Sequence, residues 1–135
     1  MDKAAAARLK DLVLDAADHQ ALADWWCAAL GYVRRPEPDG TERPREWPVL
    51  LVDPAGAGLP IWINRVPEPK TVKNRLHFDV WGDPERLVAL GATVLRERDE
   101  EIRWHVMADP EGNEFCVFVP DVPDIPDTPD VLEEE

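Results

Sequence analysis

The residues best suited to proton chemistry are a histidine and an aspartate two positions apart, in Leu76-His77-Phe78-Asp79-Val80-Trp81. Their period-two alternation predicts a strand, with Leu76, Phe78 and Val80 on an apolar face and His77, Asp79 and Trp81 on the other. Imidazole ordinarily titrates near ~6.5, so a carboxylate that orients it would make a general base. Positions i and i+2 lie roughly 6.5–7 Å apart along a strand, and direct contact requires the two side chains to lean together. The same alternation in Glu114-Phe115-Cys116-Val117-Phe118 sets Glu114, Cys116 and Phe118 on one face. Each group also has a plain structural reading. His77 can be a histidine satisfied by backbone or by Asp79, and the aspartates can bond strand-end or turn amides. Cys116 has no base identifiable beside it and reads as a small hydrophobe. The chain contains no G-x-S-x-G, P-loop, dinucleotide-binding glycine pattern or HExxH.

The elements that must position these groups occur twice. Leu12-Val13-Leu14-Asp15-Ala16 matches Leu76-His77-Phe78-Asp79-Val80, and Ala29-Leu30-Gly31 matches Ala89-Leu90-Gly91. Asp53-Pro54-Ala55-Gly56 matches Asp109-Pro110-Glu111-Gly112, each preceded by a tryptophan (Trp47, Trp104), and Val66-Pro67 matches Val119-Pro120. Asp18 and Asp83 fall at corresponding places as helix N-caps. Each half reads as strand, helix and three strands. The strands are expected over 9–16, 32–35, 48–53 and 59–66, then 75–81, 93–97, 104–108 and 114–119. The helices lie between Asp18 and Gly31 and between Asp83 and Gly91, with glycine as the stop and Pro84 in the first turn of the second. The Asp-Pro-x-Gly segments are turns. By the repeat, Val13 and Asp15 share the face occupied by His77 and Asp79. Trp62 aligns with Phe115, under a helix.

A duplicated βαβββ module with this punctuation resembles the vicinal oxygen chelate superfamily, which includes glyoxalase I, bleomycin-resistance proteins and extradiol dioxygenases. The match rests on Leu12–Asp18 with Ala28-Ala29-Leu30-Gly31, on Arg75–Asp83 with Ala89-Leu90-Gly91, and on Asp109-Pro110-Glu111-Gly112-Asn113-Glu114-Phe115-Cys116-Val117. The nearest likeness is to glyoxalase-like domains. The resemblance implies an α+β fold whose tandem modules curl a mixed sheet into a cup, with helices outside. It covers about residues 9–119, within a domain taken as residues 1–119, with modules over about 9–67 and 75–119. It also implies that metal-binding members place four ligands in the cup, from the first and fourth strands of each module. Here those positions read Val13, Ile63, His77 and Cys116. Two aliphatic side chains ligate nothing, and a catalytic divalent ion normally takes three protein ligands. The expectation is therefore no metal and no other cofactor, which argues against glyoxalase I and ring-cleaving activity. The cup would receive Asp15, Val13 and Ile63 from module one. From module two it would receive His77, Asp79, Trp81, Trp104, Glu114, Cys116 and Phe118.

Composition narrows the ligand. The 135 residues carry a formal net charge of −13, and removing the seven acids of residues 121–135 leaves −6. Nucleic acid and anionic membranes both require clustered bases, so neither is an expected partner. No apolar run approaches a membrane span, no signal peptide is evident and the two cysteines, Cys27 and Cys116, make no disulfide framework. A cytoplasmic location is expected. Residues 120–135 form an acidic Pro-Asp repeat tail of period three, which matches polyproline II or a disordered tail. Pro69–Arg75 supplies three bases, either as a solvated hinge or as a lip that attracts an anionic group. Aromatic walls suit a flat apolar or cationic ligand.

The reading is a protein that binds a small organic molecule in an aromatic cup without metal. One alternative is a lyase, isomerase or dioxygenase of the same fold, metal-dependent or metal-free, with His77 and Asp79 catalytic. The other is an interaction module using the Pro-Asp tail. By resemblance a homodimer is expected.

Overall fold

The computed structural model describes residues 5–120; the Pro-Asp repeat from residue 121 onward, with the expectations placed on it, lies outside the described residues. The chain divides between Lys70 and Thr71 into two compact units.

The first unit holds β1 (Leu12–Ala16), α1 (His19–Leu30), β2 (Val33–Arg34), β3 (Val49–Val52) and β4 (Ile61–Arg65). The second holds β5 (Phe78–Trp81), α2 (Pro84–Leu90), β6 (Thr93–Arg96), β7 (His105–Ala108) and β8 (Glu114–Phe118). Each unit is a four-stranded mixed sheet of the same topology, β1-β4-β3-β2 and β5-β8-β7-β6. The outer pair is parallel in each, β1 with β4 and β5 with β8, and the remaining pairs are antiparallel. The parallel pair needs a crossover, and the helix together with two strands supplies it. The strand–helix–three-strand order expected from the repeat is thus the order found, with strands shorter by one to three residues at several ends.

The caps explain where the helices begin and stop. Asp18 accepts the Ala21 N–H at 3.1 Å, and Gly31, at φ 76°, returns its N–H to the Cys27 carbonyl at 2.8 Å. Asp83 accepts the Glu85 N–H at 3.0 Å ahead of Pro84. The two Asp-Pro-x-Gly turns are built alike. Asp53 accepts the N–H groups of Ala55, Ala57 and Gly58, and Asp109 those of Glu111 and Asn113. Gly56 and Gly112 hold positive φ at the turn ends.

Helix-facing side chains form the core of each unit. In the first, Trp26, Leu22, Leu51 and Ile63 are buried to within 1 % exposure, with Trp25 and Ile61 close behind. In the second, Met107, Phe115 and Val117 play this part, and Leu87 of α2 approaches Val117 across Gly82. A Cβ at Gly82 would lie 3.5 Å from both. Burying side chains of this size contributes about 1.5–3 kcal/mol each.

Two expectations about faces are corrected here. Ile63 does not share a face with Val13; it is fully buried on the helix side with Ile61. Trp62, expected under a helix, occupies the opposite face, half-buried. Its indole N–H donates to Asp11 Oδ2 at 3.0 Å, and the Arg43 guanidinium lies 5.3 Å from its ring centre. The register gives the reason. Asp15 pairs with Asn64 and Asp79 with Cys116, so Asn64 is the counterpart of Cys116. Leu76 is also displaced from its expected place: β5 starts at Phe78, and Leu76 is exposed in the preceding segment.

Candidate functional site

The chemistry gathers on the face of the second sheet turned away from the core. Along β5, Asp79 and Trp81 are exposed while Phe78 and Val80 are half-buried, which is the alternation a one-sided sheet demands. Along β8, Glu114, Cys116 and Phe118 share that face with them. His77 precedes the strand and continues its pattern.

The imidazole and carboxylate do lean together: His77 Nε2 lies 3.2 Å from Asp79 Oδ1, both half-exposed. One donor atom of each comes within 4.8 Å of Cys116 Sγ and of the other. Burial raises the Cys116 thiol above its ordinary pKa; the Asp79 carboxylate adds to the rise, and Lys73 opposes it. The thiol is therefore held protonated and is a poor nucleophile at neutral pH. Glu114 is committed to structure. Its Oε1 accepts the Asn74 N–H at 2.7 Å, and Asn74 Nδ2 donates to the Leu76 carbonyl at 3.1 Å. Those bonds fix the segment that delivers His77.

Beside this triad runs an aromatic strip. Phe118 sits between Trp81, at 5.9 Å and an interplanar angle of 65°, and Trp104, at 5.6 Å and 31°. Trp81 is 48 % exposed. Aromatic pairs with offset or edge contacts are mutually stabilising, and an exposed ring at the end of such a strip is a stacking surface.

The first sheet presents different groups at the matching positions. Val13 is 59 % exposed, and Asp15 is exposed with Asn64 Nδ2 at 3.4 Å from its Oδ1. With Trp62 they make a face without an imidazole or a thiol. Of the expected site residues, His77, Asp79 and Cys116 come together. Trp81, Trp104 and Phe118 form the strip, and Glu114 braces the segment that carries His77. Val13 and Asp15 lie on the corresponding face of the other unit, and Ile63 lies in its core.

Whether these residues suit a metal can be judged from their donors. His77, Asp79 and Cys116 offer one imidazole nitrogen, one carboxylate oxygen and one sulfur, a mixed set of the kind zinc takes. Against this, binding must strip the proton from a thiol whose pKa is raised, and it must compete with the His77–Asp79 contact. The valine at the module-one position supplies no ligand. The set offers three donors, one short of the four-ligand arrangement, two from each module, expected of metal-binding members.

Sequence reasoning passed over His19. It is 5 % exposed, and its Nε2 lies 2.9 Å from the Arg45 carbonyl and 3.0 Å from that of Trp47. Its acceptors are backbone groups 26 and 28 residues away, so no local pattern could mark it.

Comparison with known proteins places the fold. No match was found among curated proteins. Among solved structures, FosX, a fosfomycin resistance protein from Mesorhizobium loti, aligns with TM-score 0.61 at 12% identity, over 87% of this chain and 95% of that one. FosX from Listeria monocytogenes, complexed with Mn(II) and sulfate ion, aligns with TM-score 0.60 at 15% identity, over 83% and 89%. A possible glyoxalase from Bacillus cereus aligns with TM-score 0.56 at 16% identity, over 84% and 99%. At these identities the likeness is one of fold. The glyoxalase-like domain family matches residues 11–118, nearly the whole of the duplicated region. The chain belongs to the glyoxalase-like domain family, within the vicinal oxygen chelate superfamily.

Proposed function

We propose that this glyoxalase-like domain binds a small, flat organic molecule with a basic centre on the open face of its second sheet, without a metal. The Trp81–Phe118–Trp104 strip carries the proposal: three rings within 6 Å of their neighbours, one of them half-exposed, beside the Asp79 carboxylate. A planar body stacks on the rings, and a cationic group reaches Asp79. The acidity of the chain favours the approach of a cation. The protein would act by sequestering its ligand, and no turnover is required.

The test uses 2-naphthylmethylamine as probe and follows the tryptophan indole N–H signals of the whole chain by NMR. The expected result is movement of the Trp81 and Trp104 signals, at least tenfold weaker binding in Asp79→Asn and in Trp81→Ala, and retained binding in His77→Ala. Failure of those two signals to move, or full affinity in Asp79→Asn, would overturn the proposal.

A second reading is favoured by the 3.2 Å His77–Asp79 contact. The same fold could carry a lyase, isomerase or dioxygenase in which Asp79 orients His77 as general base. If the donor set of His77, Asp79 and Cys116 is loaded with a divalent ion, that ion would supply Lewis-acid chemistry there. Turnover of a substrate that vanishes in His77→Ala while binding persists would establish this reading in place of sequestration.

A further inference from the structure

The first unit contains a cavity of about 740 Å³ between the start of α1 and the segment 34–49. We infer that it is a separate binding site for a small aromatic anion, such as a planar carboxylate, held by Arg35 and Arg45 against the Trp47 ring.

The balance of charge within the lining supports an anion. Four arginines line it: Arg34, Arg35, Arg43 and Arg45. Two are already engaged. Arg34 bonds Asp24 Oδ1 and Gln20 Oε1, each at 2.8 Å, and Arg43 pairs with Glu37. The guanidinium groups of Arg35 and Arg45 have no carboxylate partner among the described residues. The acids in the lining are Asp18, which caps α1 and keeps its charge, Asp24, which pairs with Arg34, and Glu42, so four guanidinium groups face three carboxylates. The lining is thus locally basic in a chain of net charge −13. A guanidinium presents parallel donors that match a carboxylate, and two of them in one cavity select an anion over a cation.

The apolar half of the site is Trp47. Its side chain is 50 % exposed in a segment that also brings Pro44 and Pro48 to the cavity. A half-exposed tryptophan in a lining shared with two prolines gives an apolar wall on which a ring can stack.

The wall is also held in place before any ligand arrives. His19, nearly fully buried at the first position of α1, holds the carbonyls of Arg45 and Trp47 together on its Nε2. The Gln20 side-chain amide donates to the same Arg45 carbonyl at 2.9 Å, and the Trp47 N–H closes a turn onto the Pro44 carbonyl at 3.0 Å. Backbone immobilised on both sides of Arg45 lowers the ordering cost of binding. It also gives His19 a purpose that the open face of the second sheet does not require.

The experiment uses the whole chain and three probes: 2-naphthoate, naphthalene-2-methanol and inorganic phosphate. Binding is measured by calorimetry and mapped on the tryptophan indole signals. The expected result is that 2-naphthoate binds and moves the Trp47 signal, at least tenfold more tightly than the neutral alcohol and than phosphate. Arg35→Gln and Arg45→Gln should each weaken it at least fivefold, and Trp47→Leu should do the same. These side chains are exposed, so the fold is expected to survive, and unchanged circular dichroism checks this. Arg86→Gln, which removes an exposed guanidinium of the other unit, should leave naphthoate affinity unchanged. No binding at millimolar probe, equal binding of the alcohol or of phosphate, or full affinity in the double variant Arg35→Gln/Arg45→Gln would each overturn the inference. Because the sequestration site takes a cation and this one an anion, failure of either leaves the other to be judged on its own probe.

Discussion

The two modules share a backbone plan and differ in what they hang on it. Both sheets have one parallel outer pair, a helix capped by aspartate, and an Asp-Pro-x-Gly turn before the last strand. Their helix-facing sides are interchangeable in kind: Ile61 and Ile63 in one, Phe115 and Val117 in the other. Their open faces are not. Where the first sheet has Val13, Asp15 and Asn64, the second has His77, Asp79 and Cys116. The aspartate is the member both retain, with a different neighbour in each case. A duplicated scaffold keeps the packing that every copy needs and leaves the solvent side free to diverge, because packing constrains volume while an open face does not. The titratable cluster and the ring strip therefore sit in one copy alone. The first copy places its distinctive groups elsewhere, in the arginine-lined cavity beside α1.

The match between the modules depends most heavily on register. If Ile63 is core and Asn64 lies on the open face, Ile63→Ala should cost about 2–5 kcal/mol, and Asn64→Ala should stay within about 0.5 kcal/mol. Denaturant unfolding of the two variants measures this. A larger cost for Asn64→Ala than for Ile63→Ala would mean that the two faces of the first sheet are inverted.

The turns offer the next largest effect. Asp109 is 3 % exposed and accepts two backbone N–H groups besides the Asn113 amide. Asp109→Ala should cost about 1–3 kcal/mol by leaving those donors unpaired. Asp53, its half-buried counterpart, should cost less, and its contribution should depend on pH. The Ala55 N–H, then those of Gly58 and Ala57, hold its carboxyl below the ordinary aspartate range. The folded state thus takes up a proton less readily than the unfolded chain. The stabilisation is complete above about pH 4 and is lost as pH falls through the lowered folded value. Stability measured from pH 7 down to 2 should show a shallower acid loss in Asp53→Asn than in the parent.

A smaller effect tests the electrostatics of the second face. Asp79 contributes to the raised Cys116 pKa, so Asp79→Asn should lower it and speed alkylation of that thiol. The change should be about two- to threefold at pH 8, because burial, the larger cause, is untouched. Peptide mapping separates it from Cys27, whose rate should not change. An unaltered Cys116 rate would mean that the carboxylate does not influence the thiol.

The repeat made much of this legible. Its landmarks marked the element order, both caps and both turns, because each depends on local chemistry: an aspartate accepting nearby N–H groups, a glycine at positive φ. Phase was legible only where a polar residue marked a face. Glu114 and Asp79 did so in the second module, and the faces there agree with the alternation. Ile61-Trp62-Ile63 offers three apolar residues in a row, and such a run carries no parity. Pairing with β1 decides it, and that is a tertiary fact. The bond from Trp62 to Asp11 and the seat of His19 were hidden for the same reason, since their partners lie 51 and 26 residues away.

Whether the second module's open face holds a flat, basic molecule without a metal is decided by the dissociation constant of 2-naphthylmethylamine on chelator-treated protein, measured again after one equivalent of Zn(II) per chain. Metal-free binding predicts that the chelator-treated protein takes up the probe, with the added ion leaving affinity equal or weaker through competition for Asp79. Binding that appears only once zinc is added would contradict it.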